Sequence, residues 1–505
     1  MRNIFNKNIN MFAISHNRLF SSSRNYRNGT KNTILSLYTF NAEDVLKSNF
    51  TFYEKNLPLF YQWLSGFIDG EGSFQINPLK GKNGVITKFS FIFNINLHID
   101  DLYVLRTISK LLGIGVVTTD IKFGKNLCTF RINKQSELLK LIRILIDNPI
   151  KGVKCLDFAD FVKAYYLYFN RSSLGSPNPL GKEDEGGAAR STTLTPKVIA
   201  EILSIKNGMN KKRTNFLNAV VTLNGVFGTQ ESYNLSKIKV TDYWLLGLIE
   251  GEGSFHLIRS RIIPGFSLKM VLYQEPIMKA IKDYLVGRLD FDSNSLFKLE
   301  GSQLISINYV KSASANSKPQ VFLAIENVRI LYNYILPYLK SLPFLTNKFK
   351  DFNDFTLICY SVYYKTYKYT LIMDLILKLS NNVNNRRLSS YNGVTNTITA
   401  EEVGELLLAD PICKPLPDGR LINTQTLKLE SGLGGSVYEI LIEEINTTHQ
   451  TILVNSLEEC ASVTGVSRNL LVKRFSEVVD SSFVSEIAIE NYKIKRIGVF
   501  LGNKV

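Results

Sequence analysis

A block of twelve residues that occurs twice places the strongest constraint on how this chain can fold. It reads WLSGFIDGEGSF at 63–74 and WLLGLIEGEGSF at 244–255, a separation of 181 residues. Two more pairs of blocks follow in the same order: KCLDFADF at 154–161 with KFKDFNDF at 348–355, and NGMNKKR at 207–213 with NNVNNRR at 381–387. Three matched pairs in one order predict two homologous domains, each long enough to bury its own core.

The composition between these blocks predicts where the domains end. Residues 172–195 are rich in Ser, Gly and Pro, which is typical of a loop within the first domain. We expect a basic N-terminal arm at 1–50, the first domain at 55–215, a linker at 216–240, the second domain at 241–390, a loop region at 391–435 and a small C-terminal module at 436–505.

Hydrophobic periodicity within the repeats indicates a mixed α+β fold. The twelve-residue block reads as a short apolar helix, and residues 89–96 alternate as a strand does. In the segment 99–112 the apolar residues recur at helical spacing on one face. Strand candidates at 126–133 and a helix at 135–146 complete the order helix, two strands, helix, two strands, helix.

The charge balance narrows the class of partner. Lys and Arg number 60 against 44 Asp and Glu, so the 505-residue chain carries a net charge of +16. Such a surplus favours a polyanion, usually nucleic acid, over the alternative of a basic but inert surface. The sequence contains no run of about 18 uncharged apolar residues, which a membrane-spanning helix would need. The five cysteines and four histidines are scattered, which argues against a disulfide framework, a zinc site or a clustered-histidine metal site.

The N-terminal arm suggests a compartment. The first 42 residues contain no Asp or Glu, but they carry six Lys or Arg residues and three consecutive serines at 21–23. This composition is typical of a mitochondrial targeting segment. A disordered basic arm that touches DNA is the alternative explanation.

The glycines of the twelve-residue block predict a close helix pair. Gly66 and Gly70 are four residues apart and therefore share one helix face, as do Gly247 and Gly251. A glycine inside a helix costs about 1 kcal/mol relative to alanine, so another interaction must compensate. Small residues at this spacing allow two helices to approach very closely. We therefore expect the two block helices to pack against each other.

Two carboxylates would then meet at the ends of these helices. Glu71 and Glu252 are each followed by a glycine, Gly72 and Gly253, which suits helix termination. Two acids beside two negative helix ends repel each other unless a cation lies between them. Carboxylate oxygens suit Mg²⁺ or another hard divalent cation. The alternative, a glycine-rich turn with solvated acids, is hard to reconcile with two copies.

Both blocks resemble the LAGLIDADG motif of the homing endonuclease and maturase family, here in the double-motif form found in fungal mitochondrial introns. The resemblance covers about residues 55–390. It implies that the acids in position eight, Glu71 and Glu252, bind the catalytic metal, with Gly70 and Gly251 beside them. The acids in position six of the motif, Asp69 and Glu250, are more often structural. Lys154 and Lys348, in the second pair of blocks, occupy the place of a lysine that stabilises charge at the scissile phosphate or merely positions it.

The resemblance also implies an architecture and a substrate. The expected fold is α+β, with two tandem αββαββα domains forming a pseudo-two-fold saddle that straddles double-stranded DNA as a monomer. Side chains on the saddle would read an asymmetric target in the major groove. The candidate contacts are Gln75, Asn77, Lys80, Lys82, Arg131, Arg259, Arg261 and Lys269.

The C-terminal module contains a candidate helix-turn-helix. Gly465 separates two apolar stretches, and Ser467 is placed to cap the second helix. Arg468, Asn469, Lys473 and Arg474 would be its exposed, DNA-facing residues. The alternative is a helical hairpin that packs on the main body.

The sequence alone leaves three functions open. The leading hypothesis is a metal-dependent endonuclease that cuts both DNA strands at one long site and promotes intron mobility. The second is a maturase that binds its host group I intron RNA and assists splicing. The third is a DNA-binding regulator without catalysis, which would not need both glutamates.

Overall fold

The computed structural model describes two copies of one unit and a C-terminal module, whose sheet also pairs with the short strand Phe297–Lys298. The described residues are 42–120, 126–169, 194–210, 213, 221–222, 232–233, 238–289, 297–298, 305–312, 317–391, 393, 398–415, 421–427, 435–442, 450–454, 456–477, 486–489 and 491–500. The predicted N-terminal arm up to residue 41 and nearly all of the predicted loop at 172–195 lie outside this set.

The first unit follows the predicted order of elements. Its helices and strands are α1 (Ala42–Lys55), α2 (Leu57–Glu71), β1 (Gly72–Lys80), β2 (Ile86–His98), α3 (Leu102–Leu112), β3 (Val116–Asp120), β4 (Leu127–Ile132), α4 (Gln135–Asp147), α5 (Lys154–Phe169) and α6 (Pro196–Asn207). The four strands form an antiparallel sheet in the order β1-β2-β4-β3.

The second unit repeats this topology. It contains α7 (Asp242–Glu252), β5 (Gly253–Ile258), β6 (Ile263–Val271), α8 (Glu275–Leu289), β7 (Ser306–Val310), β8 (Gln320–Ile325), a helical segment at 328–340 with a π-helical turn at Leu331–Ile335, α9 (Lys348–Tyr363) and α10 (Thr370–Ser380). Its antiparallel sheet has the order β5-β6-β8-β7. The predicted α+β class and the two αββαββα units are therefore confirmed.

The inner face of each sheet packs on helices. Buried residues alternate with more exposed ones along the strands, as in β1, where Phe74 and Ile76 are buried. Phe74 lies against Phe158 and Phe161 of α5, and Phe255 of β5 contacts α9 in the same way, through Phe352 and Phe355. In the described residues, the opposite strand positions carry polar and less buried side chains, such as Gln75 and Asn77 in β1.

The predicted loop region at 391–435 contains regular structure, and that part of the prediction was wrong. Residues Ala400–Leu408 form α11, and β9 (Cys413–Pro415) pairs with β10 (Leu421–Asn423). The helix begins with a capping box in which Thr399 and Glu402 satisfy each other's backbone amides, a pattern readable in the sequence. Leu406 and Leu407 are buried in a core shared with α10. Within the predicted linker, Val221–Thr222 pairs with Ser232–Tyr233.

The C-terminal module is a sheet with two helices. It contains β11 (Gly435–Ile442), β12 (Gln450–Val454), α12 (Leu457–Thr464), α13 (Arg468–Glu477), β13 (Glu486–Ile489) and β14 (Tyr492–Phe500), with the strand order β12-β11-β14-β13. The two helices lie where the helix-turn-helix is predicted, with Gly465 at φ +71° between them. Leu471 and Phe475 pack on this module's own strands, so in the described residues the hairpin belongs to its own core.

None of the helices in the described part of the chain is long and apolar enough to cross a membrane.

The two block helices, α2 and α7, cross with their main chains in contact. A Cβ atom placed on Gly66 would lie 1.9 Å from the carbonyl oxygen of Trp244. In the other direction, a Cβ on Gly247 would lie 2.0 Å from the carbonyl oxygen of Trp63. No side chain fits at either position, so this crossing requires glycine twice.

We predict that Gly66→Ala lowers the free energy of unfolding by about 3 kcal/mol or more, because the added methyl group forces two packed backbones apart. Urea denaturation would measure the change. Gly287→Ala is the matched control: Gly287 lies in α8 with nothing within 4 Å of its Cβ position. There the same substitution should stabilise by about 0.5–1 kcal/mol. Equal effects of the two substitutions would contradict the proposed packing.

Candidate metal centre and nucleic-acid interface

The crossing of α2 and α7 brings Glu71 and Glu252 together. Both are the last residues of their helices. The Cβ position of Gly70 lies 3.3 Å from Cγ of Glu252, and that of Gly251 lies 3.5 Å from Cγ of Glu71. Each glutamate side chain therefore passes over the glycine that precedes the other glutamate.

The two carboxylates are electrostatically unfavourable as they stand. Burial and the neighbouring Glu252 raise the pKa of Glu71 to about 7, against the opposing effect of Lys154 and Lys348. Burial also raises the pKa of Glu252. A cation placed between the two groups would favour their charged forms.

The glycines that end these helices serve close approach. Gly72 and Gly253 have extended backbones, at φ −72° and −69°, which any residue can adopt. A Cβ on Gly253 would lie 2.4 Å from the carbonyl oxygen of Ile249, and a Cβ on Gly72 would lie 2.6 Å from a side-chain carbon of Ile68. The chain can therefore turn directly from helix to strand only with glycine here.

The position-six acids are enclosed by hydrogen-bond donors. Asp69 accepts from the amides of Lys151 and Gly152, both at 2.9 Å, and from Nε1 of Trp244 at 3.0 Å. Burial raises the pKa of Asp69 to about 6 against these donors.

Glu250 repeats this arrangement in the second unit. It accepts from the amides of Leu345 at 2.8 Å and Thr346 at 2.5 Å, and from Nε1 of Trp63 at 2.5 Å. Each acid thus joins a loop of its own unit to the tryptophan of the other unit. The hydrogen bonds that these two acids accept therefore hold the two units together.

The two lysines have different surroundings. Lys154 is half-buried next to the C-terminus of α2 and donates to the carbonyl oxygens of Ile68 at 2.8 Å and Gly70 at 2.9 Å. Burial lowers its pKa. Lys348, its counterpart, lies on the wall of a cavity of about 890 Å³ together with Glu71 and Gly251. Lys154 is thus bonded to a helix end, while Lys348 borders the open space.

Among the acids that line the same cavity is Asp101. It lies in the 3-10 turn Ile99–Asp101 after β2, and its carboxylate accepts from Nδ2 of Asn347 at 3.0 Å. The equivalent residue in the second unit is neutral: Gln274 accepts from the amide of Val153 through Oε1 at 2.8 Å. The two halves of the centre therefore differ in charge.

The donor set at the crossing fits a hard divalent cation. Within the described residues, no group of three or more His, Cys, Asp or Glu side chains is arranged to hold a metal ion. The available ligands are the carboxylates of Glu71 and Glu252 with the main-chain carbonyls beside them. The carbonyl of Gly70 accepts from Lys154 but retains a second lone pair. Oxygen ligands that leave room for water are those that Mg²⁺ takes.

The candidate DNA contacts of the first unit lie on the outer face of its sheet or in its turns. Gln75 and Asn77 alternate with the buried residues of β1, and Lys80 and Lys82 are exposed at the β1–β2 turn. Arg131 is exposed on β4, and its Nε donates to Oδ1 of Asn94 on β2 at 3.1 Å.

The candidates of the second unit and of the C-terminal module are also exposed. Arg259 and Arg261 lie in the β5–β6 turn, and Lys269 lies on the outer face of β6. In the module, all four candidates lie on the exposed side of α13; Arg468 pairs with Glu458 at 2.7 Å and Arg474 with Glu477 at 3.5 Å.

Sequence reasoning missed residues that join the two units beside the cavity. Oγ of Ser389, in the segment after α10, donates to Oδ1 of Asp100 at 2.7 Å, and Nε2 of His98 lies 2.9 Å from Oγ of Ser390. These pairs are nearly 300 positions apart in sequence, and no local pattern indicates them.

Comparison with known proteins agrees with this geometry. A sequence model described as LAGLIDADG endonuclease matches residues 64–165 and 245–359, which contain the C-terminal parts of both block helices and both lysines. The chain carries a double-motif LAGLIDADG domain. The predicted resemblance is thus confirmed, and both segments of the domain contribute to the centre at the helix crossing.

The double-motif LAGLIDADG chain also matches individual relatives. It is 25% identical over 405 residues, 78% of this chain and 74% of the relative, to "Uncharacterized mitochondrial protein RF1" of Saccharomyces cerevisiae. It is 27% identical over 268 residues to "Probable intron-encoded endonuclease Cox1-I1b" of Schizosaccharomyces pombe, covering 52% of this chain and 58% of that relative. The chain thus spans little more than half the length of the latter.

Solved LAGLIDADG structures resemble the fold more distantly. The homing endonuclease I-GzeII, crystallised with its DNA target, is 18% identical with a TM-score of 0.48, and the match covers 65% of this chain and 99% of that one.

We predict that divalent-cation binding strengthens as the pH rises through 7. The proton held by Glu71, whose pKa is about 7, must leave before the carboxylate can act as a ligand. The apparent affinity for Ca²⁺ or Mg²⁺ should therefore be about tenfold weaker at pH 6 than at pH 8. The shift in unfolding temperature with cation concentration would measure it. The Glu71→Gln/Glu252→Gln protein should lose the response, and equal affinity at both pH values would disprove the assignment.

Proposed function

We propose that this protein is a site-specific endonuclease that hydrolyses both strands of double-stranded DNA with a hard divalent cation, Mg²⁺ in the cell. The observation that carries the proposal is the meeting of Glu71 and Glu252 at the crossing of α2 and α7, where each side chain lies over the other unit's glycine. A carboxylate pair between two related sheets suits two related phosphodiester bonds, one in each strand.

The chain's own groups have separate tasks in this reaction. A bound divalent cation would lower the pKa of water and stabilise the leaving oxygen. Glu71 and Glu252 would hold it, and Lys348 on the cavity wall would stabilise negative charge that develops on the phosphate. Lys154, which donates to the carbonyls at the end of α2, would instead fix that helix end and thereby orient Glu71.

Target recognition would be unequal in the two halves. Strand pairing aligns Ser73, Asn94, Arg131 and Val116 in one row of the first sheet, adjacent to Glu71. The equivalent row of the second sheet contains only small side chains, namely Ser254, Ser267, Ala324 and Ser306. Arg131, held by Asn94, could read a guanine through O6 and N7, whereas the other row has no long donor. We therefore expect a long target whose two halves differ in base sequence.

The biological role we propose is intron mobility in mitochondria. The relatives named as probable intron-encoded endonucleases and the acid-free N-terminal segment support this role. The exposed cations of α13 would add contacts to the DNA backbone, since Arg468 and Lys473 are exposed. One chain would act as a monomer because both halves of the centre are covalently joined.

We predict that Glu71→Gln/Glu252→Gln abolishes cleavage and leaves DNA affinity within about threefold of the unsubstituted protein, because the amides keep the shape of the site but lose its charge. The substrate is the intron-lacking allele of the host gene, incubated with and without Mg²⁺. Metal-dependent cleavage of both strands at one locus would support the endonuclease.

Two other outcomes would favour the remaining hypotheses. Tight binding to the unspliced group I intron RNA without DNA cleavage would support a maturase. Binding to DNA that is equal with and without Mg²⁺ and never followed by cleavage would support a regulator. Cleavage that persists in the double Gln variant would disprove the assignment of the two glutamates.

We predict that Arg131→Ala relaxes specificity at one base pair in one half of the target, by about 1–3 kcal/mol, because the bidentate contact is lost there. Lys269→Ala, on the outer face of the second sheet, is the control and should leave that base pair unaffected. Cleavage of a target library carrying all four bases at each position would measure both effects. A uniform loss of affinity across the library would mean that Arg131 contacts only phosphate.

A further inference from the structure

The third repeated block of the sequence, NGMNKKR and NNVNNRR, has no part in the function proposed above. We call residues 207–213 strap 1 and residues 381–387 strap 2. Each strap follows the last long helix of its unit, α6 or α10, and returns to the start of the sheet. The two straps place an asparagine and an arginine in matching positions, which two unrelated loops would not do.

Strap 1 is bonded to both a strand and a helix. Nδ2 of Asn210 donates to the carbonyl oxygen of Phe74 in β1 at 3.0 Å, and its main-chain amide donates to Oδ1 of Asp157 in α5 at 2.9 Å. Nε of Arg213 donates to the same Asp157 oxygen at 3.0 Å, and Nη2 of Arg213 also bonds Asp160. These partners are largely shielded from water, with the Arg213 side chain 11% exposed.

Strap 2 repeats these contacts in the second unit. Nδ2 of Asn384 donates to the carbonyl oxygen of Phe255 in β5 at 2.8 Å. Nε of Arg387 donates to Oδ1 of Asp351 in α9 at 2.7 Å, and its Nη2 bonds Asp354. Asn210 and Asn384 also share a backbone angle, φ +57°, in the left-handed region that asparagine tolerates better than most residues.

The residues that the straps bond lie at the same sequence spacing from the proposed catalytic groups in both units. Phe74 follows Glu71 by three residues, and Asp157 follows Lys154 by three residues. The same spacing relates Phe255 to Glu252 and Asp351 to Lys348. Each strap therefore ties the strand that begins at a metal-binding glutamate to the helix that begins at a lysine.

We infer that the straps are positioning devices, each of which sets the spacing between the glutamate and the lysine of its own unit. This inference rests on the proposed endonuclease function. The arginine, whose side chain is 11% exposed in strap 1 and 25% exposed in strap 2, bonds two carboxylates on one helix face. It is difficult to displace, since these charges would be left unpaired. The asparagine side chain links the strap, which the arginine holds on the helix, to the strand. Asn210 and Asn384 do not touch the reacting atoms; they act through the position of the main chain.

The experiment uses Asn210→Gly and Asn384→Gly in the full-length chain. Glycine accepts φ +57° without strain, so each variant removes one side-chain donor and leaves the turn intact. Each variant is the matched control for the other, because the same substitution is made at the same backbone angle in the opposite unit. Asn210→Asp keeps the size of the side chain but replaces the donor by an acceptor, and it should behave as Asn210→Gly does.

The first measurement is hydrogen exchange of the free protein, which needs no catalysis. Asn210→Gly should increase exchange at the start of β1 and in the first turn of α5 by about fivefold, while β5 and α9 stay unchanged. Asn384→Gly should give the mirror result. Unchanged exchange, or an increase spread over both units, would overturn the inference.

The second measurement is cleavage of a target labelled separately on each strand. Each variant should slow one strand by about tenfold, and the two variants should slow opposite strands, because a displaced group in one unit affects one phosphodiester bond. A merely structural loss would slow both strands together, and that result would overturn the inference. If the unsubstituted protein cuts no DNA, the proposed function fails, and the exchange result alone decides what the straps do.

Discussion

The contact on which this structure depends is between two main chains. At Gly66 and Gly247 the helices α2 and α7 approach so closely that a single methyl group would overlap a carbonyl oxygen. This approach brings each tryptophan indole within hydrogen-bonding distance of the other unit's buried acid. It also places Glu71 and Glu252 at one point. Because van der Waals repulsion rises steeply as two atoms approach, the position of this carboxylate pair is set by the two glycines and by no adjustable side chain.

Four acids meet in this interface, and their donors separate them into two kinds. Asp69 and Glu250 are buried, and each receives three N–H bonds. The elevated pKa values of Glu71 and Glu252 arise first from burial, and only the two lysines oppose them by charge. A buried acid that is fully bonded stabilises an interface, whereas one left unbalanced can bind a cation. Two acids that are two residues apart on one helix thus have different surroundings.

The helix pair and the α+β order could be predicted from sequence because both depend on short-range spacing: glycines four apart, and strands alternating with a period of two. The straps could not, although their repeat is visible in the sequence. Their meaning lies in bonds from Asn210 and Arg213 to residues more than 50 positions away. The different environments of Lys154 and Lys348 are likewise a tertiary property. Helix α11 was also missed, although its Thr399–Glu402 capping box is a local pattern that the sequence shows.

Comparison of the two units shows which features the architecture needs twice. The crossing glycines, the indole–carboxylate pairs and the strap bonds to the strand recur in both units. The outer sheet faces do not recur: Arg131 in the first unit stands where Ala324 stands in the second. Two strands of one duplex have chemically identical backbones but different base sequences. A chain that brings one carboxylate from each unit together beneath two unequal sheet faces matches that combination, which a symmetric homodimer could not do for a non-palindromic target.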